Sequence, residues 1–154
     1  MIAPIIILLI EDNPGDIELV RVGFHEARIA NRLDVISDGQ EAIEFFCNAN
    51  TMPDLVLLDI NLPKVKGIEI LKQIRSMDVS KNIPVIMLTS SDAEADVIGS
   101  YAGHANSFIT KPVDVDKFLD VVTSIEEFWL SVVKLPQRQS VQQNPEYSQA
   151  DITP

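Results

Sequence analysis

The sequence predicts an α/β protein: a doubly wound, parallel five-stranded sheet with helices on both faces. Three observations carry that expectation. Short runs rich in Ile, Val and Leu recur along the chain, and they lack the apolar and polar alternation of a half-exposed strand, which is the mark of strands covered on both sides. Segments with apolar residues at three- and four-residue steps lie between those runs. The length of 154 residues, 46% of them hydrophobic, suits one core without a metal or disulfide to hold it.

Taken in order, the strands are expected at residues 4–10, 33–36, 54–58, 83–88 and 107–109. The second is shorter and more polar than the first, and it suits a sheet edge. Helix 1 starts at Asn13-Pro14-Gly15-Asp16, which supplies a cap, a first-turn proline and a first-turn acid. Ile17, Val20, Phe24 and Ala27 then give it one buried face, until it dissolves near Ala30 and Asn31. Helix 2 runs from Asp38-Gly39 to Cys47 and buries Ala42, Ile43 and Phe46. Helix 3 follows Gly67, with Ile68, Leu71 and Ile74 inward and Lys72 and Arg75 outward. Ser91 to Glu94 has the spacing of a capping box, so helix 4 begins there and reaches about Ala102, and helix 5 starts near Val113. This repeated strand and helix alternation implies right-handed crossovers. The result is a flavodoxin-like sheet in the order 2-1-3-4-5, whose ligand site lies beyond the carboxyl ends of the strands at the switch in strand order.

Charge and composition narrow the function. With 23 acidic and 12 basic residues the formal charge is −11, which disfavours DNA binding, since that draws on Lys and Arg neutralising phosphates. Cys47 is the lone cysteine; it reads as a small buried hydrophobe, or else as a reactive thiol, in a reducing compartment. The longest apolar run, 5–10, is too short to span a bilayer and follows no basic flank, so a cytoplasmic chain without a membrane segment is expected. Residues 1–133 form the domain. Residues 134–154 are rich in Gln and Pro and poor in apolar side chains, and such a tail orders only against a partner.

The strand ends carry the chemistry. Strand 1 ends in Glu11-Asp12 and strand 3 in Asp59, which brings three carboxylates to one edge of the sheet. Singly, the first two could serve as anions near helix 1, and the third could close a strand before a proline turn. Together they either raise a pKa or bind a cation, and an all-oxygen set suits Mg²⁺. Strand 4 ends in Thr89-Ser90-Ser91, and strand 5 leads through Phe108-Ile109-Thr110 to Lys111-Pro112. Acids, a hydroxyl and an ammonium around a metal equip a pocket for phosphoryl transfer to a carboxylate.

With those residues in place, the chain resembles the receiver domains of two-component response regulators over about residues 5–133. The resemblance rests on Glu11-Asp12-Asn13, on Leu57 to Pro63, on Leu88-Thr89-Ser90 and on Phe108 to Pro112, in the family's order and spacing. It implies that Asp59 accepts phosphoryl from a histidine kinase. It also implies Mg²⁺ held by Asp12, Asp59 and the backbone carbonyl of Asn61, with Glu11 acting through a water. Lys111 would pair with Asp59 or its phosphoryl group, Thr89 would bond a phosphoryl oxygen, and Phe108 would turn inward as Thr89 moves. The chain reads Gly103-His104-Ala105 where the family usually has Gly directly before the Ala, so either the helix cap shifts to Gly103 or His104 is strained. Glu11 to Asp16, Lys111 to Asp114 and Phe128-Trp129-Leu130 resemble single-domain regulators paired with bacterial or cyanobacterial phytochromes.

The resemblance also suggests that signal leaves through helix 4, strand 5 and helix 5. Val121, Phe128 and Val133 lie beside the core stripe of helix 5, a surplus that suits a homodimer contact. A phosphorelay shuttle or phosphate sink needs the same pocket. A phosphatase with an aspartyl intermediate usually has a second acid where this chain has Asn61, and a flavin carrier would meet repulsion at Glu11-Asp12.

Overall fold

The computed structural model describes residues 4–26, 30–91, 105, 107–114, 116–117 and 120. The expected helix 4 beyond Ser91, helix 5 from Val121 onward with Val121, Phe128 and Val133, Ala27, His104, and the tail at 134–154 lie outside these residues, while Asp116, Lys117 and Asp120 are helical as expected for the start of helix 5.

Five strands, β1 (Ile5–Ile10), β2 (Asn31–Ile36), β3 (Leu55–Asp59), β4 (Val85–Thr89) and β5 (Ser107–Thr110), form one parallel sheet in the order β2-β1-β3-β4-β5. This is the expected flavodoxin-like arrangement. Between the strands run α1 (Pro14–His25), α2 (Gly39–Asn48) and α3 (Gly67–Ser76). The chain leaves β1 toward one edge to make β2, then returns past β1 to make β3, β4 and β5. The order therefore reverses between β1 and β3. Their carboxyl ends flank the crevice where such sheets place a ligand.

Alternation along each strand sends side chains to opposite faces, and the interior divides accordingly. Ile7, Leu9, Leu55, Leu57, Ile86, Leu88 and Ile109 pack with Val20 and Phe24 of α1. Leu8, Ile10, Val56, Leu58, Val85 and Met87 pack on the other face with Ala42 and Phe46 of α2 and with Ile70, Leu71 and Ile74 of α3. At the foot of the sheet the side chain of Asp54 accepts from Ile6 N at 2.8 Å, and Asp54 N donates to Ile6 O at 2.8 Å.

The structure corrects several local expectations. Cys47 is exposed rather than buried, because it follows Phe46 on α2 and it is the phenyl ring that takes the inward position. Arg75 does not project into solvent. Its Nη1 donates to Lys81 O at 3.1 Å and Ile83 O at 2.7 Å, tying the end of α3 to the turn before β4, and burial lowers its pKa. The buried stripe of α3 includes Ile70 as well as Leu71 and Ile74, with Ile68 only partly covered; Ile43 on α2 is partly covered too. α1 ends at His25 with Glu26 as its cap, short of Ala30, and Asn31 Nδ2 donates to Phe24 O at 2.9 Å, satisfying one carbonyl of the last turn. No helix among the described residues is long and apolar enough to cross a membrane.

Candidate functional site

Glu11 and Asp12 follow β1 directly, and the start of α1 fixes their backbone. Asn13 is the cap: its Oδ1 accepts from Asp16 N at 2.9 Å, and Pro14 opens the first turn. Asn13 N donates back to Glu11 Oε2 at 3.1 Å. That bond holds one carboxylate oxygen against the turn and leaves the other to face the crevice.

Asp59 ends β3 on the far side of the crevice. Across the next strand pair Asp59 lies in register with Leu88, and Ile60 N donates to Leu88 O at 3.1 Å. The chain then folds back over the strand end. Gly67 N donates to Ile60 O at 3.0 Å and Val65 N to Pro63 O at 2.7 Å, while Lys64 takes a left-handed φ of 65°. A Cβ on Gly67 would come within 2.8 Å of Ile60 Cα and 3.1 Å of Asp59 C, with the carbonyl oxygen of Asp59 nearer still. Only glycine lets α3 start this close to the strand.

Glu11, Asp12 and Asp59 each place a carboxylate oxygen so that all lie within 4.8 Å of one another. Glu11 and Asp59 are buried and Asp12 is exposed. Asp59 Oδ1 accepts from Asn61 N at 3.2 Å. Lys111 enters from the end of β5, where Lys111 N donates to Thr89 O at 2.7 Å and the bond to Pro112 is cis. Its Nζ donates to Asp16 Oδ2 at 3.0 Å and Glu11 Oε1 at 3.2 Å, and lies 3.4 Å from Asp59 Oδ1.

Electrostatics follow from this crowding. Burial raises the Glu11 carboxyl to about 7; the Asn13 amide opposes the shift, the charge of Asp59 adds to it, and Lys111 works against it. Burial disfavours the Lys111 ammonium, but its bond to Asp16 and the charges of Asp59 and Glu11 outweigh that and hold its pKa above the usual lysine value. Carboxylates outnumber ammonium groups here. A cluster with only oxygen donors and excess negative charge matches a hard divalent cation in donor type and in charge.

The structure thus brings Glu11, Asp12, Asp59 and Lys111 together. Thr89 is fully buried at the end of β4, and its hydroxyl donates to Ser91 O at 3.1 Å. Phe108 is partly buried and packs with the α2 and α3 layer. Sequence reasoning missed Asp16 as a pocket residue. It reads as an ordinary first-turn acid, and its partner Lys111 is 95 positions away.

The family model described as the response regulator receiver domain matches residues 7–123. Response regulator Rcp1 of Synechocystis sp. is 39% identical over 138 residues, covering 86% of this chain and 94% of Rcp1. The crystal structure of its Mn²⁺-bound form aligns with a TM-score of 0.66 over 86% of this chain and 99% of that chain. The bacteriophytochrome response regulator AtBRR is 37% identical with a TM-score of 0.74, covering 82% of this chain and 96% of its own. The phosphorylated cyanobacterial phytochrome response regulator RcpA is 39% identical with a TM-score of 0.65, over 84% and 96% respectively. A pocket built from Glu11, Asp12, Asp59 and Lys111 on a sheet of this order, together with these matches, makes the chain a member of the response regulator receiver domain family.

Proposed function

We propose that the chain is a receiver-domain response regulator whose Asp59 accepts a phosphoryl group from a histidine kinase of the phytochrome type. One observation carries the reading. Asp59 is a buried carboxylate held by Asn61 N at 3.2 Å, with the Lys111 ammonium 3.4 Å away and Glu11 and Asp12 beside it. Such a site binds a metal and neutralises a transferred phosphoryl group at the same place. The metal-bound form of Rcp1 and the phosphorylated form of RcpA support it by similarity, and the likeness to AtBRR supports the phytochrome partner.

Asp12, Asp59 and the backbone carbonyl of Asn61 would hold Mg²⁺, with Glu11 reaching it through a water. When bound, the ion supplies positive charge against the carboxylates and the incoming phosphoryl oxygens. Asp59 attacks phosphorus with one carboxylate oxygen; an O–P bond forms, the N–P bond to the kinase histidine breaks, and the imidazole leaves with that electron pair. Lys111 then meets a phosphoryl oxygen as a point charge. Thr89 exchanges its bond to Ser91 O for one to phosphoryl, and Phe108 turns further inward. The altered face comprises helix 4, β5 and helix 5, where Val121, Phe128 and Val133 pair two copies. Working beside its kinase in the cytoplasm, a domain of charge −11 signals through protein contacts and not by binding DNA.

Mg²⁺-dependent labelling by a small phosphodonor tests the acceptor. Wild type should gain one phosphoryl group by mass and Asp59→Ala none; equal labelling of the two proteins refutes the assignment. Light scattering of Phe128→Asp, with and without phosphodonor, tests the paired face, and an unchanged mass removes that contact.

A further inference from the structure

Asp16 has no part in the chemistry assigned above, yet it makes the shortest contact to Lys111. Its side chain is 28% exposed and that of Lys111 17%, so the pair lies at the mouth of the crevice and not on open surface. An ammonium has three N–H donors. Asp16 Oδ2 takes one at 3.0 Å and Glu11 Oε1 another at 3.2 Å, and Asp59 Oδ1 stands farther off at 3.4 Å. Asp16 of α1 therefore shares the ammonium with the two buried carboxylates of the crevice.

We infer that Asp16 is a positioning residue that competes with Asp59 and its phosphoryl group for the Lys111 ammonium, and so governs how readily Asp59 is phosphorylated. The inference rests on Asp59 being the acceptor. A phosphoryl group arriving there brings about 1.5 to 2 negative charges, and Lys111 must close on it to neutralise them. Asp16 does not follow. Its backbone N–H is fixed to Asn13 Oδ1 at 2.9 Å, its side chain is short, and the first turn of α1 favours its charge without any lysine. Each approach of Nζ to phosphoryl therefore lengthens the bond to Asp16. Glu11 differs, because it lies fully buried within the same carboxylate cluster as Asp59.

The test uses the full chain with Mg²⁺ and phosphoramidate. In the reaction the donor N–P bond breaks, the Asp59 O–P bond forms, and ammonia departs with the electron pair and takes up a proton. Asp16→Asn is expected to speed labelling by about fivefold, the size of one part-exposed ion pair. Asp16→Glu, which restores the charge, should return it close to wild type. Asp16→Ser is run alongside, so that a folding defect peculiar to Asn is separable from loss of charge. The deciding comparison is made in a Lys111→Met background, where labelling is followed by mass over hours so that a strongly slowed protein still gives a rate. There Asp16→Asn should change nothing, because the competition has no object. A speed-up of equal size in both backgrounds would show that Asp16 merely repels the anionic donor, and it overturns the inference. So does an Asp16→Asn rate at or below wild type. If Asp59→Ala labels like wild type the acceptor reading itself fails; if Asp59→Ala is silent and Asp16→Asn is unchanged, only the positioning role falls.

Discussion

Replacing Gly67 with Ala tests the close approach of α3 to the strand that carries Asp59. The added Cβ would stand 2.8 Å from Ile60 Cα and 3.1 Å from Asp59 C, distances at which backbone must move. Gly67 is buried, so the clash has no outlet to solvent. Overpacking of this kind costs about 1–3 kcal/mol. Displacing the helix start also weakens the 3.0 Å bond from Gly67 N to Ile60 O, worth about 1 kcal/mol. Alanine recovers about 0.4–1 kcal/mol by restricting the unfolded chain, leaving a net loss of about 1–3 kcal/mol. In urea the midpoint should fall by about 1 M for a slope typical of small domains. Phosphodonor labelling should slow as well, since the backbone that must yield includes the acceptor's own carbonyl. Gly15→Ala is the control. Its Cβ would meet only the side-chain oxygen Asn13 Oδ1, at 3.2 Å, so no neighbouring backbone has to move and its midpoint should shift less than that of Gly67→Ala. If Gly67→Ala melts at or above the wild-type midpoint, the steric argument is wrong.

Other consequences follow from the same geometry. Because burial raises Glu11 from 4.5 to about 7, the folded state keeps a proton that the unfolded chain has lost between those values. The linked stability is therefore full below pH 4.5 and declines as pH rises to 7, by about 3 kcal/mol at most. Urea midpoints in metal-free buffer at pH 5 and 7.5 should show that decline, and Glu11→Gln should flatten it. A divalent cation releases the same proton, so calorimetric Mg²⁺ affinity is expected to rise with pH up to about 7; a flat profile counts against a protonated Glu11. Asp54→Ala removes the carboxylate that accepts from Ile6 N at 2.8 Å, which should cost about 1–3 kcal/mol in urea unfolding. Asp54→Asn, which keeps an acceptor, should recover most of it.

The sheet was legible because its strands are nearly continuous apolar runs: Leu55 to Leu58 and Val85 to Leu88 are buried throughout, and no helix-period pattern competes with them. Their ends were less so. Asp59 and Thr89 are polar residues that still belong to strands, and a hydropathy pattern stops one residue too soon. Arg75 and Cys47 failed for different reasons. Periodicity assigns a helix face but does not tell which neighbouring loop covers it, so Arg75 found carbonyls to bond; Cys47 was read from residue type alone, although the helix pattern gives the inward position to Phe46. In the pocket, the strand-end rule located Glu11, Asp12, Asp59 and Lys111 because each adjoins a strand terminus. Asp16 lies in the first turn of α1 and not at a strand end, and its bond to Lys111 spans 95 positions. No local signal reports such a pair.

The division of the interior by the sheet has a bearing on how relatives of this chain can diverge. Val20 and Phe24 contact one set of strand side chains, and Phe46 and Ile74 contact the other. The two chambers are separated by a layer of hydrogen-bonded backbone. Mutational costs in different chambers should accordingly sum, as they do for sites without shared neighbours. Each chamber is thereby free to drift at its own pace, and a lineage can remodel the packing beneath one set of helices while the other set stays in place.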